Sequence, residues 1–362
     1  MAKFTPDTKE ELQALVKDQS IYLGDIDTSK ITDMSDLFFK STRTDFSGIE
    51  TWNTSNVKTM AGMFWGCESF DQDISSWDVS KVETMADMFT YCENFNQDIS
   101  GWDVRNVKDM DSMFTYCSTF NQDISSWDTS NVENMKGMFK GCESFDQPLN
   151  DWNVSNVEDM YEMFHCCTSF NQDISGWDVS RVYDFSSMFA GCENFNQPLG
   201  DWDVGKVETM ACMFERCHAF NQDISGWNTS SVENMAFMFY NCTSFNQDLS
   251  SWDVRNVVDM AWMFSDCKSF NQDISKWNVS KVTNMACMFS GCENFNQDLS
   301  SWDTSNIEDM SFMFYGCKNF NQDISGWNIN KVWDTTDMFE NCPIDNSNKP
   351  SQEQSSIKRN KL

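Results

Sequence analysis

The chain has 362 residues, of which 40% are hydrophobic, and its 56 acidic residues outnumber its 25 basic residues to give a formal net charge of −31. Binding of nucleic acid or of an anionic membrane surface needs a basic surface, so this composition argues against both partners. Glycine and proline number only 15 and 5, which excludes a collagen-like or low-complexity chain.

The first 25 residues are predicted to form a helical cap. Residues 5–18 would be the helix, with Thr5 as its N-cap. Three apolar residues recur at helical spacing: Leu12, Leu15 and Val16. This N-terminal segment is polar and lacks the apolar core of a secretory signal, and no apolar run is long enough for a membrane-spanning helix.

A 25-residue repeat then continues in register from Thr51 to Cys342. Its consensus is C-x-x-F-N-Q-D-I-S-x-W-D-V-S-N-V-x-x-M-x-x-M-F-x-x. A uniform series of similar units is typical of a solenoid and not of a catalytic domain, because a catalytic pocket needs different residues in different places. The sequence therefore predicts one right-handed solenoid over residues 26–344, with roughly 12 to 13 coils.

The two ends of the array differ from its middle. Residues 26–50 form a degenerate first copy that lacks the cysteine and the Asn-Gln step. Such atypical end copies are expected because a terminal coil must shield the open core. Residues 345–362 are polar and end with basic residues, so we predict a disordered tail there.

Two short elements are predicted within each coil. The I-S-x-W-D-V stretch alternates apolar and polar residues, which indicates a short β-strand. In the next stretch, Val82, Met85, Met88 and Phe89 follow a spacing that suits one or two turns of helix. Each coil would then contain one short strand, a turn and one short helical segment.

Most of the repeated apolar positions are assigned to structural ladders in the interior. Tryptophan at equal steps is more typical of packing than of ligand binding. One cysteine per coil indicates an interior row of small side chains with free thiols. The Asn-Gln step suggests a polar ladder that satisfies backbone groups where the coil bends. Representative members of these ladders are Trp77, Trp102, Trp127, Cys92, Cys117, Cys142, Asn96 and Gln97.

Repeated acids raise the question of calcium. Stacked carboxylates repel, and bound Ca²⁺ would relieve that repulsion. However, Pro148 and Pro198 interrupt one acidic row, Asn153 and Asn228 interrupt another, and no copy contains a dense calcium-loop motif. We therefore favour local turn capping by Asp and Asn, no metal site and no cofactor, with calcium kept as the alternative.

The sequence offers no catalytic constellation. Histidine occurs only at His165 and His218, and no nucleophile elbow, phosphate-binding loop or zinc-binding helix motif is present. The chain is therefore predicted to be non-enzymatic.

One repeat position departs from its consensus in a run of adjacent copies. The second residue after the first methionine of each coil is small or charged in six copies, beginning with Gly62, and then apolar in five. Side-by-side coils would align the five apolar residues into a stripe roughly 20 Å long. An exposed apolar stripe favours a protein-binding or self-association site, whereas burial against neighbouring coils is the structural alternative. The stripe consists of Cys212, Phe237, Trp262, Cys287 and Phe312.

The consensus phrases W-D-V-S-N-V, M-F-x-G-C and F-N-Q-D-I-S resemble the BspA-like family of bacterial surface proteins, which have leucine-rich-type repeats of 25 or 26 residues. The resemblance spans Ile26 to Cys342. It implies a leucine-rich-repeat-like solenoid and a surface protein that adheres to a host or matrix protein. An intracellular interaction scaffold is the alternative, because no secretory signal is evident, so the chain is expected either at the cell surface or in the cytoplasm. A calcium-stabilised structural protein is the third expectation, and the sequence does not fix an oligomeric state.

Overall fold

The computed structural model describes residues 3–351 and divides the chain into two compact units. Unit 1 is Met1–Arg181 and unit 2 is Val182–Leu362. Regular secondary structure is sparse among the described residues. It comprises one α-helix, α1 (Lys9–Lys17), and short 3₁₀ turns at Leu23–Asp25, Ile49–Thr51 and Asn346–Asn348.

Each unit is a repeat solenoid in which every coil bonds to the next through a short stretch of backbone. Isolated parallel bridges join residues one repeat apart, such as Thr84 to Asp109 in unit 1 and Asn234 to Asp259 in unit 2. In unit 2, the amides of Met210, Cys212, Phe214 and Arg216 donate to carbonyls of the following coil at 2.7–3.0 Å. Coil-to-coil hydrogen bonding therefore uses alternate residues of the methionine-rich stretch.

The strand and helix predicted for each coil are not found among the described residues. The Ile-Ser-x-Trp stretch is a tight turn, in which the Trp227 amide donates to the Ile224 carbonyl at 3.2 Å. The methionine-rich stretch is also a series of turns. The residues two and six positions after its first methionine both have left-handed backbone. Cys212 and Arg216 both have a φ of 58°. A left-handed residue ends an α-helix, so the helical spacing of the apolar residues does not produce one.

The core lies inside the coils and is dominated by stacked aromatic rings. In unit 2, the rings of Phe214 and Phe239 are parallel, with centroids 5.7 Å apart, and the next pair, Phe239 and Phe264, repeats that distance. Both rings of each pair are fully buried. Offset stacking of this kind adds to the free energy gained from burying apolar area.

The helix of the N-terminal cap, α1, begins later than the sequence suggested. The N-cap of α1 is Thr8 and not Thr5, since the Thr8 side chain accepts a hydrogen bond from the Glu11 amide. Leu12 and Val16 on α1 are buried. The buried guanidinium of Arg43 then ties the helix end to the first coil by donating to backbone carbonyls, including that of Asp18 at 2.9 Å.

Disorder was predicted from residue 345, and it does not hold for the first part of that tail. Asn346–Asn348 forms a 3₁₀ turn, and the Ile324 amide of the last coil donates to the Asn348 carbonyl at 3.0 Å. The Asn348 side chain donates to the Asn321 carbonyl at 3.1 Å. These contacts cap the open end of the last coil. The remaining residues of the predicted tail, 352–362, lie outside the described residues.

Candidate protein-binding surface

The cysteine ladder lies in the interior. The thiols of Cys92, Cys117 and Cys142 are buried and free, and each Sγ lies 3.0–3.1 Å from a phenylalanine carbonyl of the preceding coil. Burial raises the pKa of all three thiols well above the ordinary value for cysteine. They are therefore neutral at physiological pH and pack as small side chains.

The tryptophan ladder is also interior. Trp77, Trp102 and Trp127 are 3–4% exposed, so their rings are not available to a ligand. Each indole Nε1–H donates to an isoleucine carbonyl of the preceding coil at 3.0–3.2 Å. The single polar atom of each ring is thus satisfied where the ring is buried.

The Asn-Gln step forms a polar ladder between coils in both units. Asn96 Oδ1 accepts from the backbone amide of Asn121 at 2.9 Å, and the Gln97 side chain donates to the Asp71 carbonyl at 3.1 Å. The same contacts recur in unit 2, where Asn246 Oδ1 accepts from the Asn271 amide at 2.9 Å. This row fixes the register of neighbouring coils.

The repeated aspartates cap turns. Oδ1 of Asp98 accepts from the Ser100 amide at 2.9 Å, and the hydrogen bonds from Ser100 lower the pKa of this carboxyl. Asn153 performs the same function in its coil by accepting from the Ser155 amide at 3.1 Å. Among residues 3–351, no group of three or more His, Cys, Asp or Glu side chains is arranged to hold a metal ion.

The two histidines do not share a unit, since His165 lies in unit 1 and His218 in unit 2. His218 Nε2 lies 3.2 Å from the side-chain nitrogen of Asn241. Within the described part of the chain, no helix is both long and apolar enough to cross a membrane.

The five residues of the stripe occupy the same left-handed backbone position in successive coils of unit 2. Their φ values are 55–61°, a region that ordinary side chains adopt at a cost of about 1–2 kcal/mol. Four of the five side chains are half-buried, and Cys287 is buried with 5% exposure. The five residues are Cys212, Phe237, Trp262, Cys287 and Phe312.

Aromatic contacts organise the stripe into two clusters. The rings of Phe237 and Trp262 are parallel, with centroids 5.6 Å apart, and Tyr240 packs edge-on against both at 6.0 and 5.8 Å. Phe312 packs edge-on against Tyr315 at 6.0 Å. Tyr315 is 38% exposed, so the second cluster reaches solvent. Together, these rings form a partly exposed apolar surface with fixed geometry.

The two cysteines of the stripe act as apolar groups. Burial raises the pKa of the Cys212 thiol to about 12, and the neighbouring Glu215 carboxylate adds to the increase. Burial raises the pKa of Cys287 to about 11, with a further contribution from Asp309. Neither thiol is ionised at neutral pH, so neither is an activated nucleophile. These causes also place carboxylates beside the stripe.

Sequence reasoning missed two exposed aromatic features. Trp333 in unit 2 is 67% exposed and immediately precedes Asp334, which forms a coil-to-coil bridge. In unit 1, Tyr91 and Tyr116 stack at 4.8 Å and are both exposed, and they occupy the other left-handed position of their coils. The signal for both was available, because aromatic residues stand where other copies have Gly, Asn or a charged residue.

A cleft of about 640 Å³ lies next to this second feature. It separates the loop of the degenerate first copy from the following coils of unit 1. Its lining is mixed and includes Lys40, Arg43, Trp65, Glu68 and Tyr91. The guanidinium of Arg43 already donates to backbone carbonyls of the N-terminal cap, those of Val16, Asp18 and Ile21, so its contribution to the cleft is structural.

Both units are thus built from one type of repeat, and this repeat defines the class of the protein as a repeat solenoid. The chain belongs to the family described as Mycoplasma protein of unknown function, DUF285. Four overlapping matches to this family cover residues 10–120, 94–190, 172–268 and 247–352. No curated protein matches the chain.

Solved structures similar to the chain include repeat proteins from several organisms. The functional domain of InlJ from Listeria monocytogenes, described as including a cysteine ladder, is 13% identical with a TM-score of 0.28, over 81% of this chain and 69% of that one. A chain of the glycosylated Toll–Spatzle complex of Drosophila is 10% identical with a TM-score of 0.27, over 83% and 40%. A leucine-rich-repeat protein of Leptospira interrogans is 7% identical with a TM-score of 0.21, over 95% of both chains.

Proposed function

We propose that this chain is a non-enzymatic protein-binding solenoid and that unit 2 contacts a protein partner through the stripe. The observation that carries the proposal is the run of apolar side chains at a left-handed position in five successive coils. At the same position unit 1 carries Gly62 and Gly137, whose φ values of 60° and 57° are nearly the same as those in the stripe. Glycine adopts this backbone without strain, so aromatic residues there are not needed to form the coil.

The size of the side chains at this left-handed position supports a functional interpretation of the stripe. Bulky residues with positive φ are uncommon and tend to occur at binding sites, where the surrounding structure holds them in place. The core below the stripe is occupied by Met213, Phe214 and their counterparts, which are fully buried, whereas the three aromatic side chains of the stripe are half-buried. Partly exposed aromatic rings that contribute little to the core are typical of protein contacts.

A more specific part of the proposal concerns where in the cell this binding takes place. The resemblance to BspA-like proteins supports a bacterial surface protein that adheres to a host or matrix protein. An intracellular interaction scaffold is the second candidate, and the buried free thiols, such as Cys92 and Cys117, favour it because reduced cysteines are usual in the cytoplasm. A calcium-stabilised structural role is a third candidate, which a chelator would test through its effect on the melting temperature.

The binding proposal is tested by comparing three forms of the full chain as immobilised bait. They are the wild type, the stripe variant Phe237→Gly with Trp262→Gly, and a matched control, Asp87→Gly with Ser112→Gly, at the same position in unit 1. Bound proteins from source-cell extracts and from host matrix preparations are quantified by mass spectrometry. We expect partners that bind the wild type and the control but not the stripe variant. Equal capture by all three forms would contradict the proposal.

Protease treatment of intact source cells separates the two cellular settings. Release of peptides from this chain without lysis would support the adhesion proposal. Protection of the chain until the cells are lysed would favour the intracellular scaffold, and the partner search would then use the source-cell extract alone.

A further inference from the structure

We infer that the partner of the stripe is a cationic protein segment that carries apolar side chains. This inference rests on the proposed function, because it assumes that the stripe is a contact surface. It concerns the surface that we call the stripe face. In each of the five coils of the stripe, this face begins two residues before the first methionine and ends six residues after it, as in residues 208–216.

The stripe face is strongly acidic. It contains seven carboxylates and one basic residue, Arg216, in a stretch that otherwise carries apolar or neutral polar side chains. Glu208, Glu233 and Glu308 are exposed. The other four acids are half-buried: Glu215, Asp259, Asp266 and Asp309. Of these, Glu215 acts electrostatically on Cys212 and Asp309 on Cys287.

These carboxylates are not neutralised within the protein. The ion pairs among the described residues of unit 2 are Arg255 with Asp253 and Lys318 with Glu293, and neither includes an acid of the stripe face. Asp259 accepts hydrogen bonds from the Ala261 amide at 2.9 Å and from the Asn284 side chain at 3.4 Å, and both donors are uncharged groups. The face therefore carries a negative potential that a cationic partner would complement.

Aromatic rings reinforce the preference for cations. Lysine and arginine side chains are attracted to the faces of tryptophan, phenylalanine and tyrosine rings, by about 0.5–1 kcal/mol at exposed sites. In unit 1 the ammonium of Lys136 already lies 4.9 Å from the centre of the Tyr161 ring. On the stripe face the half-buried rings of Phe237, Trp262 and Phe312 have no basic side chain over them among the described cation–ring contacts.

The corresponding surface of unit 1 is different. In the five coils from Met60 to Met160 the same positions include four lysines: Lys58, Lys108, Lys136 and Lys140. Lys140 forms an ion pair with Glu162, and Arg181 forms one with Glu158. These positions of unit 1 thus contain eight acids and four bases, whereas the stripe face contains seven acids and one base.

The length of the stripe sets the size of the segment. Core rings one coil apart are separated by 5.7–5.9 Å, so the five coils of the stripe span about 23 Å. An extended segment of about seven residues, or a helix of about fifteen, covers that distance. Apolar side chains of the segment would contact the rings, and its lysines or arginines would contact the seven acids of the stripe face, which we call the rim.

The test uses defined probes and the full chain. Three fluorescein-labelled peptides of about fifteen residues are compared by fluorescence anisotropy: alternating Leu-Lys, alternating Leu-Glu and alternating Ser-Lys. The protein is the wild type, the stripe variant, or a rim variant with Glu233→Gln, Asp266→Asn and Glu308→Gln. The matched charge control is Glu83→Gln, Asp109→Asn and Glu133→Gln in unit 1. All four forms are measured at about 0.05 M and about 0.3 M salt.

We expect the Leu-Lys peptide to bind the wild type and the charge control equally. The stripe variant and the rim variant should each weaken binding by about tenfold or more, and high salt should weaken binding to the wild type far more than binding to the rim variant. The Leu-Glu peptide should not bind, and the Ser-Lys peptide should bind more weakly than Leu-Lys. Binding of Leu-Glu as strong as that of Leu-Lys, or equal binding of Leu-Lys by the rim and wild-type forms, would overturn the inference.

The outcomes also separate this inference from the proposed function. If captured partners are lost with the stripe variant but kept with the rim variant, the stripe is a binding site and its partner is not cationic. If the stripe variant keeps every partner, the proposed function itself fails. Sedimentation of the wild type and of the stripe variant tests whether the stripe binds a second copy of the chain. Self-association of the wild type that is lost in the stripe variant would identify that second copy as the partner and would overturn the inference of a cationic segment.

Discussion

Unit 1 and unit 2 share one scaffold and differ in what that scaffold presents. Both units have the same stacked phenylalanine core, the same cysteine and tryptophan ladders and the same parallel bridges. At the left-handed position, unit 1 carries residues such as Asp87 and Ser112, whereas five successive coils of unit 2 carry aromatic residues or cysteines. The comparison shows that the side chain at this position can change while the backbone of the coil stays the same.

The largest expected effect distinguishes the core from the stripe within a single coil. Phe264→Ala removes a fully buried ring from the stack and should lower the free energy of unfolding by about 3–5 kcal/mol. Trp262→Gly, two residues away, should change it by no more than about 1 kcal/mol, because glycine suits its φ of 61°. Urea unfolding of the full chain measures both. A cost for Trp262→Gly close to that for Phe264→Ala would mean that the stripe belongs to the core.

A second prediction concerns the backbone that the two units share. Valine at the left-handed position should destabilise either unit by about 1–2 kcal/mol, since β-branched residues are disfavoured at positive φ. Ser112→Val in unit 1 and Phe312→Val in unit 2 test this, with the corresponding glycine variants as controls. Thermal melting is sufficient for the comparison. Valine variants as stable as the glycine variants would show that the position is not left-handed in solution.

Acid should affect both units alike, through the aspartates that cap turns. The hydrogen bonds from the following serine lower the folded-state pKa of Asp98 and Asp123 in unit 1 and of Asp223 and Asp273 in unit 2. A lowered folded-state pKa stabilises the protein fully above the unfolded value of about 3.9, and this stabilisation is lost as pH falls through the folded value. The melting temperature should therefore decrease below about pH 4.

The matched variants for this prediction replace these aspartates with asparagine, which the chain itself uses as a cap at Asn153. Asparagine keeps the capping hydrogen bond but does not titrate. The melting temperature of the variants should thus decrease less between about pH 5 and pH 2 than that of the wild type. An identical decrease in both proteins would show that other carboxylates control the acid response.

The smallest expected effect concerns the exposed tyrosines of unit 1, whose replacement should leave partner binding unchanged. Tyr91→Gly with Tyr116→Gly removes two exposed aromatic rings from unit 1, at a position where Gly66 and Gly141 stand in other coils. If binding depends on the stripe face, partner capture should be unchanged, whereas Phe237→Gly with Trp262→Gly should abolish it. Loss of partners with the tyrosine variant would move the proposed binding surface to unit 1.

The repeat predicted much of this architecture, because a 25-residue period allows one solution for the core: equivalent residues stack on each other. The solenoid follows from that period alone. The strand and helix within each coil could not be predicted, since the spacing of Val82, Met85 and Met88 suits a helix as well as the turns that are found. Left-handed backbone decides between them, and it occurs here at residues as unexpected as Phe237 and Trp262.

The stripe was visible in the sequence because it is a run of exceptions to a regular pattern. The acids of the stripe face were not noticed, since they occupy several different repeat positions and none of these positions is acidic in all five coils. Trp333 and the tyrosine pair of unit 1 were missed for a related reason. Each interrupts its own repeat position once or twice, and a short interruption does not stand out in one sequence.

The central claim is that partners bind the stripe of unit 2 and not the equivalent surface of unit 1. Hydroxyl-radical footprinting of the full chain, alone and with a captured partner, tests it without any substitution. The account predicts that the partner protects Phe237, Trp262 and Phe312 from oxidation and leaves Tyr91 and Tyr116 as reactive as before. Protection of the two tyrosines with no change at Phe237 and Trp262 would contradict it.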